Sequence, residues 1–280
     1  MQYTQCTITV VPQQYENLII ALSTDGFDQF QFENAGDCDI VTLYLSQLDE
    51  VRRLRACLAS VENCACTEST IDEEDWANNW KQYYQPIDIG TRLRIQPAWQ
   101  PLENPDNRVI FYNNPGMSFG TGTHASTFLC LQILEQHIKH NDRILDLGCG
   151  SGILFITASL LGASGALAVD IDPLACQTAA TNAFDNRIKN YKIEHGDLTA
   201  DPQLMQKLIN FHADFICANL VADLIIHLTP QIKKLLKPNA RLLTSGILNE
   251  HAASVTDALG LPIIETRQKD GWTAILFCNR

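Results

Sequence analysis

Residues 144–154 read ILDLGCGSGIL, an apolar run that passes directly into three alternating glycines. An apolar run of this length bounded by glycine is typical of a buried strand, and the apolar residues after Gly152 are typical of a helix. Glycine is needed where a turn requires an unusual φ or where the backbone approaches a ligand closely. The stretch therefore predicts a strand–turn–helix unit with a ligand at the turn.

Strand and helix patterns alternate around this unit over residues 114–280. Seven stretches have strand character: RILDLG, GALAVDID, YKIEHG, DFICANL, ARLLTSG, PIIETR and TAILFC. Helical patterns cover residues 152–161, 173–184, 222–236 and 249–259. Because only QKDG separates the last two strands, they should form a hairpin that makes one edge strand antiparallel. We predict a doubly wound α/β domain with a mostly parallel sheet of seven strands.

The first 70 residues have a different pattern, in the order β-α-β-β-α. CTITVV, FDQFQFEN and DIVTLYLSQ have strand character, whereas QQYENLIIALSTDG and LDEVRRLRACLASV have helical character. One more strand would complete a ferredoxin-like α+β fold, which is a common interaction module. We therefore predict a small N-terminal domain over residues 1–70.

Residues 71–113 join the two predicted domains. They hold three of the four tryptophans, Trp76, Trp80 and Trp99, and four of the eleven prolines. Trp76 and Trp80 would share a helix face, and the prolines favour extended chain. We interpret the segment as a structured linker, whose tryptophans either form a hinge or partner surface or pack the two domains together.

The chain is acidic, with 32 acidic and 20 basic residues and a formal net charge of −12. Because phosphate contacts dominate nucleic-acid affinity, this balance disfavours direct nucleic-acid binding and favours a cationic partner. No apolar run reaches the roughly 20 residues of a membrane span. The N-terminus also lacks a signal-peptide pattern, so we expect a cytoplasmic protein without membrane association.

The chain has 10 cysteines, and several, such as Cys130 and Cys217, lie within apolar segments. This is how free thiols are used in a reducing compartment. Cys64 and Cys66 form a lone CAC, whereas a zinc site needs a second ligand pair at a suitable spacing. We therefore expect no metal, and we expect this pair to lie in a loop or at a helix end.

The glycine turn indicates which cofactor the large domain binds. A dinucleotide fingerprint is G-x-G-x-x-G, but here the pattern is G-x-G-x-G, and Ile153 occupies the place of the other motif's third glycine. Asp146 lies two residues before the first glycine, where its charge would repel a pyrophosphate. A carboxylate at this position suits a cationic amino group, which favours S-adenosyl-L-methionine over NAD.

Polar residues also end the next three strands, and strand ends face the ligand crevice in such sheets. Asp170 lies 22 residues after Gly148, where an acid binds a ribose diol. Asp172 precedes Pro173 and is better interpreted as a helix N-cap. Asp197 either accepts a hydrogen bond from an adenine amino group or is a plain turn acid, and Asn219 could orient an attacking amine. Together these positions are typical of a seven-stranded S-adenosylmethionine-dependent methyltransferase.

Several segments closely resemble the bacterial methyltransferases of ribosomal protein L11, the PrmA family. They are NPGMSFGTGTHAST at residues 114–127, then DLGCGSGIL, VDIDP, ANLVA and TSGIL. The linker DWANNWKQYYQPIDIGTRLRIQPAW is also similar to that family's linker, so the resemblance covers most of the chain. The chain departs from the family's usual pattern at Asn114 and Ser118, which affects loop detail rather than a required group.

The resemblance implies a protein N-methyltransferase. Its targets would be lysine amines and the N-terminal amine of L11, recognised by the N-terminal domain. The acidic surface favours L11 taken free in solution over L11 already covered by RNA. The resemblance also implies that residues 119–124 fold over the cofactor, which Thr127 contacts. The expected catalytic residues are Asn219 and His124, although His124 alternatively only packs or caps a helix. The expected cofactor-binding residues are Phe119, Gly120, Thr121, Thr127, Asp146, Gly148, Gly150, Gly152, Asp170, Asp197 and Asn219.

Three other functions are compatible with the cofactor motif. Another protein-lysine or small-molecule methyltransferase would not need this N-terminal domain and tryptophan-rich linker. An RNA base methyltransferase is disfavoured by the acidic balance, and NLVA lacks the proline and aromatic residue of an N-P-P-Y clamp. A non-catalytic protein that only senses the cofactor would not need an intact set of site residues.

Overall fold

The structure is a computed structural model that describes residues 2–27, 30–34, 38–45, 48–59, 61–72, 85–100, 107–113 and 124–279. The chain divides into two compact units, Met1–Tyr84 and Gln85–Arg280. Residues 85–113, which form part of the predicted linker, therefore belong to the second unit. Trp76 and Trp80 lie outside the described residues.

The N-terminal unit is a four-stranded antiparallel sheet with two helices. Its elements are β1 (Gln2–Val10), α1 (Tyr15–Thr24), β2 (Gln31–Asn34), β3 (Asp39–Leu45), α2 (Leu48–Leu58) and β4 (Cys64–Asp72). The strand order β2-β3-β1-β4 is that of a ferredoxin-like domain. Alternate residues of β1, including Cys6 and Ile8, are buried in a core with Leu18 and Leu54 of the helices.

Strand β4 is the strand that was missing from the sequence pattern. It pairs antiparallel with β1, with Cys64 opposite Val10 and Cys66 opposite Ile8. The expectation that the CAC pair lies in a loop or at a helix end was therefore wrong. The strand was hard to recognise because Thr67, Glu68 and Ser69 are exposed at the sheet edge and show no apolar alternation.

The second unit begins with a three-stranded sheet. Strand β5 (Ile87–Ile89) pairs antiparallel with β6 (Leu93–Pro97), and β6 pairs parallel with β7 (Val109–Asn113). The next helix is α3 (Ala125–His137), and its Glu135 carboxylate accepts hydrogen bonds from the backbone N–H groups of Thr91 (3.1 Å) and Arg92 (2.9 Å). These charge-assisted bonds hold the turn between β5 and β6 against α3.

The remaining elements alternate between strand and helix. They are β8 (Arg143–Leu147), α4 (Ile153–Leu160), β9 (Gly165–Asp170), α5 (Pro173–Asp185), β10 (Tyr191–His195), α6 (Pro202–Asn210), β11 (Phe215–Asn219), α7 (Ala222–Leu235), β12 (Arg241–Leu248), α8 (Ala252–Leu259), β13 (Ile263–Lys269) and β14 (Trp272–Cys278). The seven strands have the order β10-β9-β8-β11-β12-β14-β13, so the predicted fold class is confirmed.

The final hairpin differs in detail from the expectation. The antiparallel strand is β14, and it lies one position inside the sheet, between β12 and the edge strand β13. The burial of the two strands explains this order. Residues 273–277 of β14 are all buried, whereas most residues of β13 are exposed. The more apolar strand therefore takes the interior position and leaves the polar one at the edge.

Helices cover both faces of the sheet, and each face has its own core. One core contains residues from α3, α4 and α5, including Leu129 and Phe155. The other contains residues from α6, α7 and α8, including Leu208 and Ile225. Central strands are therefore buried on both sides, which is why they appear in the sequence as continuous apolar runs. Across the described ranges, no helix has the length and apolarity to cross a bilayer.

Candidate functional site

The glycine turn between β8 and α4 lies where the parallel strands end, at what we call the carboxyl edge of the sheet. The Gly148 and Cys149 N–H groups donate to the Val169 carbonyl oxygen at 2.9 and 3.1 Å. Gly148 has φ +67°, and a Cβ there would clash with Leu220 Cδ2. Gly152 has φ +80°, and a Cβ there would lie 2.6 Å from the Phe155 ring. The left-handed φ favours glycine at both positions, and an added side chain would also force Leu220 or Phe155 to move.

Asp170 fixes this turn from the end of β9. Its Oδ2 accepts a hydrogen bond from the Gly150 N–H (2.8 Å), and its Oδ1 accepts one from the Asp172 N–H (3.0 Å). The Asp172 carboxylate in turn accepts from the Leu174 N–H (2.8 Å), so the predicted N-cap of α5 is confirmed. The Asp170 carboxylate is therefore held in one orientation at the strand end. An acid at this position can accept hydrogen bonds from the hydroxyls of a ribose.

Asp146 is a buried acid directly beneath the turn. It is 1 % exposed, and its Oδ2 accepts from the Phe155 N–H in the first turn of α4 (3.2 Å). Its Oδ1 has no hydrogen-bond partner among the described residues. Burial raises the pKa of this carboxyl to about 7. A buried carboxylate oxygen without a partner fits a site for a cationic group, such as the amino group of S-adenosylmethionine.

A pocket of about 340 Å³ opens between the ends of β9, β10 and β11. Gly148, Asp170 and Asp197 line it together with apolar side chains, among them Leu198 and Leu224. A pocket with apolar walls and a few polar groups can hold a planar base and its sugar. Three of the predicted cofactor residues therefore face one cavity.

Asp197 forms the turn that one of its two sequence interpretations expected, and it also lies at the pocket. Its Oδ1 accepts hydrogen bonds from the Thr199 N–H and hydroxyl, each at 2.7 Å, as expected of a turn acid. The backbone hydrogen bond from Thr199 is the main reason why the pKa of this carboxyl is lowered. The residue also lines the pocket. Its turn therefore orients an acid toward the ligand space.

Asn219 and Thr127 meet although 92 residues separate them. The Asn219 Nδ2 donates to Thr127 Oγ1 at 3.3 Å, across the junction of β11 and the first turn of α3. Ser245 lies opposite Asn219 on β12, and its hydroxyl is within 3.2 Å of the Ser126 carbonyl oxygen. The amide of Asn219 is thereby held by α3 at the carboxyl edge, and Ser245 ties the same turn of α3 to β12.

His124 is the N-cap of α3. Its Nδ1 accepts from the Ser126 N–H (3.3 Å) and lies 2.8 Å from the Ser126 hydroxyl. The ring packs edge-to-face on Trp272, with centroids 4.8 Å apart. Burial lowers the pKa of His124, which favours the neutral imidazole. One ring nitrogen therefore serves the cap, as one of the two sequence interpretations expected.

Three of the expected cofactor residues, Phe119, Gly120 and Thr121, lie outside the described residues, as does the whole segment over residues 114–123. Within the ranges that the structure covers, no group of three or more His, Cys, Asp or Glu side chains is placed to hold a metal ion.

The site also contains residues that were not predicted from the sequence. The Asn182 Nδ2 donates to the Ser151 carbonyl oxygen at 2.8 Å and ties α5 to the glycine turn. Leu220 and His227 line the pocket, and Trp272 contacts His124. Asn182 and His227 lie within helices and carry no motif. The tryptophan at the start of β14 was a visible signal, because it follows the predicted hairpin turn directly.

Comparison with known proteins identifies the family. The family model described as "Ribosomal protein L11 methyltransferase (PrmA)" matches residues 14–280. A ribosomal protein L11 methyltransferase of Pelotomaculum thermopropionicum is 38% identical over 232 residues, which is 82% of this chain and 73% of the relative. A protein of the same name from an Exiguobacterium strain is 39% identical over 81% of this chain and 72% of the relative.

A solved structure is also similar. The crystal structure described as the ribosomal protein L11 methylase of Lactobacillus delbrueckii subsp. bulgaricus superimposes with a TM-score of 0.63 at 27% identity. The match covers 70% of this chain and all of that chain.

Proposed function

The chain belongs to the ribosomal protein L11 methyltransferase family, and we propose that it transfers methyl groups from S-adenosylmethionine to amines of ribosomal protein L11. The observation that carries the site assignment is the convergence at one sheet edge of Asp170, the glycine turn and the Asn219–Thr127 pair. In a doubly wound sheet this edge is where ligands bind.

The residues present fit the cofactor. Asp170 would accept the ribose hydroxyls, and the leucine-lined pocket beside Asp197 would hold the adenine. In the described part of the chain, Asp146 has a carboxylate oxygen without a hydrogen-bond partner, which suits a cationic group. S-adenosylmethionine supplies an electrophilic methyl group on a sulfonium sulfur. The chain's own contribution is to hold that group in a fixed place with little rearrangement, because the turn is already set by hydrogen bonds to Val169 and Asp170.

Asn219 would position the acceptor amine. Its amide is braced by Thr127, so its carbonyl oxygen is available to accept a hydrogen bond from an amine N–H. A free lysine has a pKa of about 10.4, so the neutral amine that attacks is scarce at neutral pH. A desolvated site lowers that pKa because burial disfavours the ammonium form. Since His124 Nδ1 already serves as a cap, we assign most of the rate enhancement to alignment.

The N-terminal unit would recognise the protein substrate. A ferredoxin-like sheet is a common interaction module, and a net charge of −12 favours a basic partner. An acidic surface should accept L11 more readily before the ribosomal RNA surrounds it, because RNA phosphates would repel the enzyme. We therefore propose free L11 as the substrate and the cytoplasm as the location.

The test is the intact mass of free L11 after incubation with S-adenosylmethionine and the full chain. We expect mass gains in whole methyl steps, lost in Asn219→Ala and kept in Asn210→Ala, an exposed asparagine at the end of α6. Assembled ribosomes should gain less than free L11. An unchanged L11 mass with cofactor binding intact would refute the substrate and leave the cofactor site standing.

A further inference from the structure

Trp272 occupies a particular place beside the site. It is the first residue of β14, it lies opposite Leu248 of β12, and its ring packs edge-to-face on His124 with an interplanar angle of 67°. The ring is only partly buried, although the five residues that follow it are buried. Leu248 beside it is 40% exposed. An aromatic ring and an exposed leucine thus lie together at the carboxyl edge.

Trp272 and Asn219 are on the same face of the sheet. Trp272, Ala274 and Leu276 alternate into the core that α3 covers, and so does Cys217, two residues before Asn219. Ser245 lies between the two strands, in register with Asn219. Its hydroxyl is 3.2 Å from the Thr273 carbonyl oxygen, so Ser245 lies beside the end of β11 by strand pairing and contacts the start of β14 through its buried side chain.

The reaction places positive charge on the acceptor nitrogen, and an aromatic ring can stabilise such a charge. As the amine nitrogen forms its bond to the methyl carbon, the carbon–sulfur bond breaks and its electron pair stays on sulfur. Positive charge therefore moves onto the nitrogen, which afterwards releases a proton to water unless it is already fully methylated. Aromatic faces attract alkylated ammonium groups, and attraction that grows as charge develops accelerates the step.

We propose that Trp272, braced by His124, is a substrate-binding residue that forms an aromatic wall for the acceptor nitrogen and stabilises its cationic, methylated forms. The inference rests on the proposed function, because it places an amine opposite Asn219. It assigns the side of the site facing α3 and β14 to the substrate, and it leaves the pocket lined by Asp170 and Asp197 to the cofactor.

Binding of free Nε-trimethyl-lysine in the presence of S-adenosylhomocysteine tests this wall without turnover. We expect Trp272→Leu to weaken binding about five-fold, which corresponds to about 1 kcal/mol, and Trp272→Phe to weaken it less. The matched control is Phe184→Leu, which removes an aromatic ring that is 78% exposed on α5. This control should bind like the wild type. Turnover of L11 by Trp272→Leu should fall with unchanged affinity for S-adenosylhomocysteine.

Two results would overturn the inference. One is equal affinity of the wild type and Trp272→Leu for trimethyl-lysine. The other is loss of S-adenosylhomocysteine binding in both Trp272 variants, which would show that the ring only supports the fold. If the wild type leaves L11 unmodified but still binds trimethyl-lysine through Trp272, the proposal that L11 is the substrate is refuted, whereas the proposed role of Trp272 is supported.

Discussion

Gly246 is the residue whose replacement should show most clearly how the fold positions Asn219. It follows Ser245 in β12 and has φ +79°. A Cβ added there would lie 2.6 Å from the Leu220 carbonyl oxygen, 2.9 Å from its carbonyl carbon and 3.1 Å from its nitrogen. These are backbone atoms of the residue directly after Asn219, and the Leu220 N–H also donates to the Ser245 carbonyl oxygen at 3.0 Å. Gly246→Ala must therefore displace the backbone next to the amide.

Two costs add in this variant. The left-handed φ costs an L-residue about 1 kcal/mol, and overpacking against atoms that cannot rotate away costs about 2 kcal/mol more. For a unit of this size, about 3 kcal/mol lowers the melting temperature by roughly 6–12 °C. The shift of Leu220 should also misplace Asn219, and a misplacement of about 1 Å costs up to roughly 100-fold in rate. Thermal unfolding by circular dichroism and L11 methylation rates measure the two effects.

Gly271→Ala is the matched control. Gly271 has nearly the same φ, +81°, but a Cβ there would have no atom within 4 Å. Its free energy of unfolding should fall by about 1 kcal/mol, from the conformational cost alone, and its melting temperature by roughly 2–4 °C. Its activity should be unchanged. Equal melting temperatures for the two variants, or full activity in Gly246→Ala, would refute the reasoning that this close approach holds the end of β11 in place.

Two other predictions concern buried carboxylates. In the wild type, burial raises the pKa of Asp146 from 3.8 to about 7. Between these two pH values the folded state therefore binds more protons than the unfolded state. The stability of the folded state should fall as the pH rises from about 4 to 7. Asp146→Asn should flatten that part of the profile in denaturant unfolding while weakening cofactor binding, and an unchanged pH profile would contradict this. Glu135→Gln should lower the free energy of unfolding by about 1–3 kcal/mol, because it removes the charge that the Thr91 and Arg92 N–H groups contact. An exposed control, Glu250→Gln, should change nothing, and equal stability of the two variants would show that the carboxylate does not hold β5 and β6.

Local features of the large domain could be predicted from the sequence. A strand that runs into a glycine turn and then a helix is specified by neighbouring residues, so β8, α4 and the N-cap at Asp172 follow from a short window. The doubly wound arrangement follows because alternating strands and helices can wind in few ways, whereas the interior position of β14 does not follow from this alternation. Helix α6 was not predicted, although Asp201 followed by Pro202 is a standard helix start.

Other features depend on contacts between residues that are far apart in the sequence. The Asn219–Thr127 hydrogen bond joins residues 92 positions apart, and Asn182 reaches Ser151 from the middle of a helix. The three-stranded sheet of residues 85–113 lies within the predicted linker, where β5 has only three residues and β6 ends in Pro97. Strands this short carry almost no periodicity, and they are stabilised by α3 rather than by their own sequence.

The most direct test of the central claim, that the carboxyl edge binds S-adenosylmethionine through Asp170, is calorimetric titration of the full chain. Asp170→Asn removes the negative charge of the group that would accept hydrogen bonds from the ribose hydroxyls. Hydrogen bonds to a charged group are each worth about 1.5–3 kcal/mol. Wild type and the exposed control Asp257→Asn should bind alike, and Asp170→Asn should bind roughly 10- to 100-fold more weakly. Undiminished affinity in Asp170→Asn would contradict the assignment of this site.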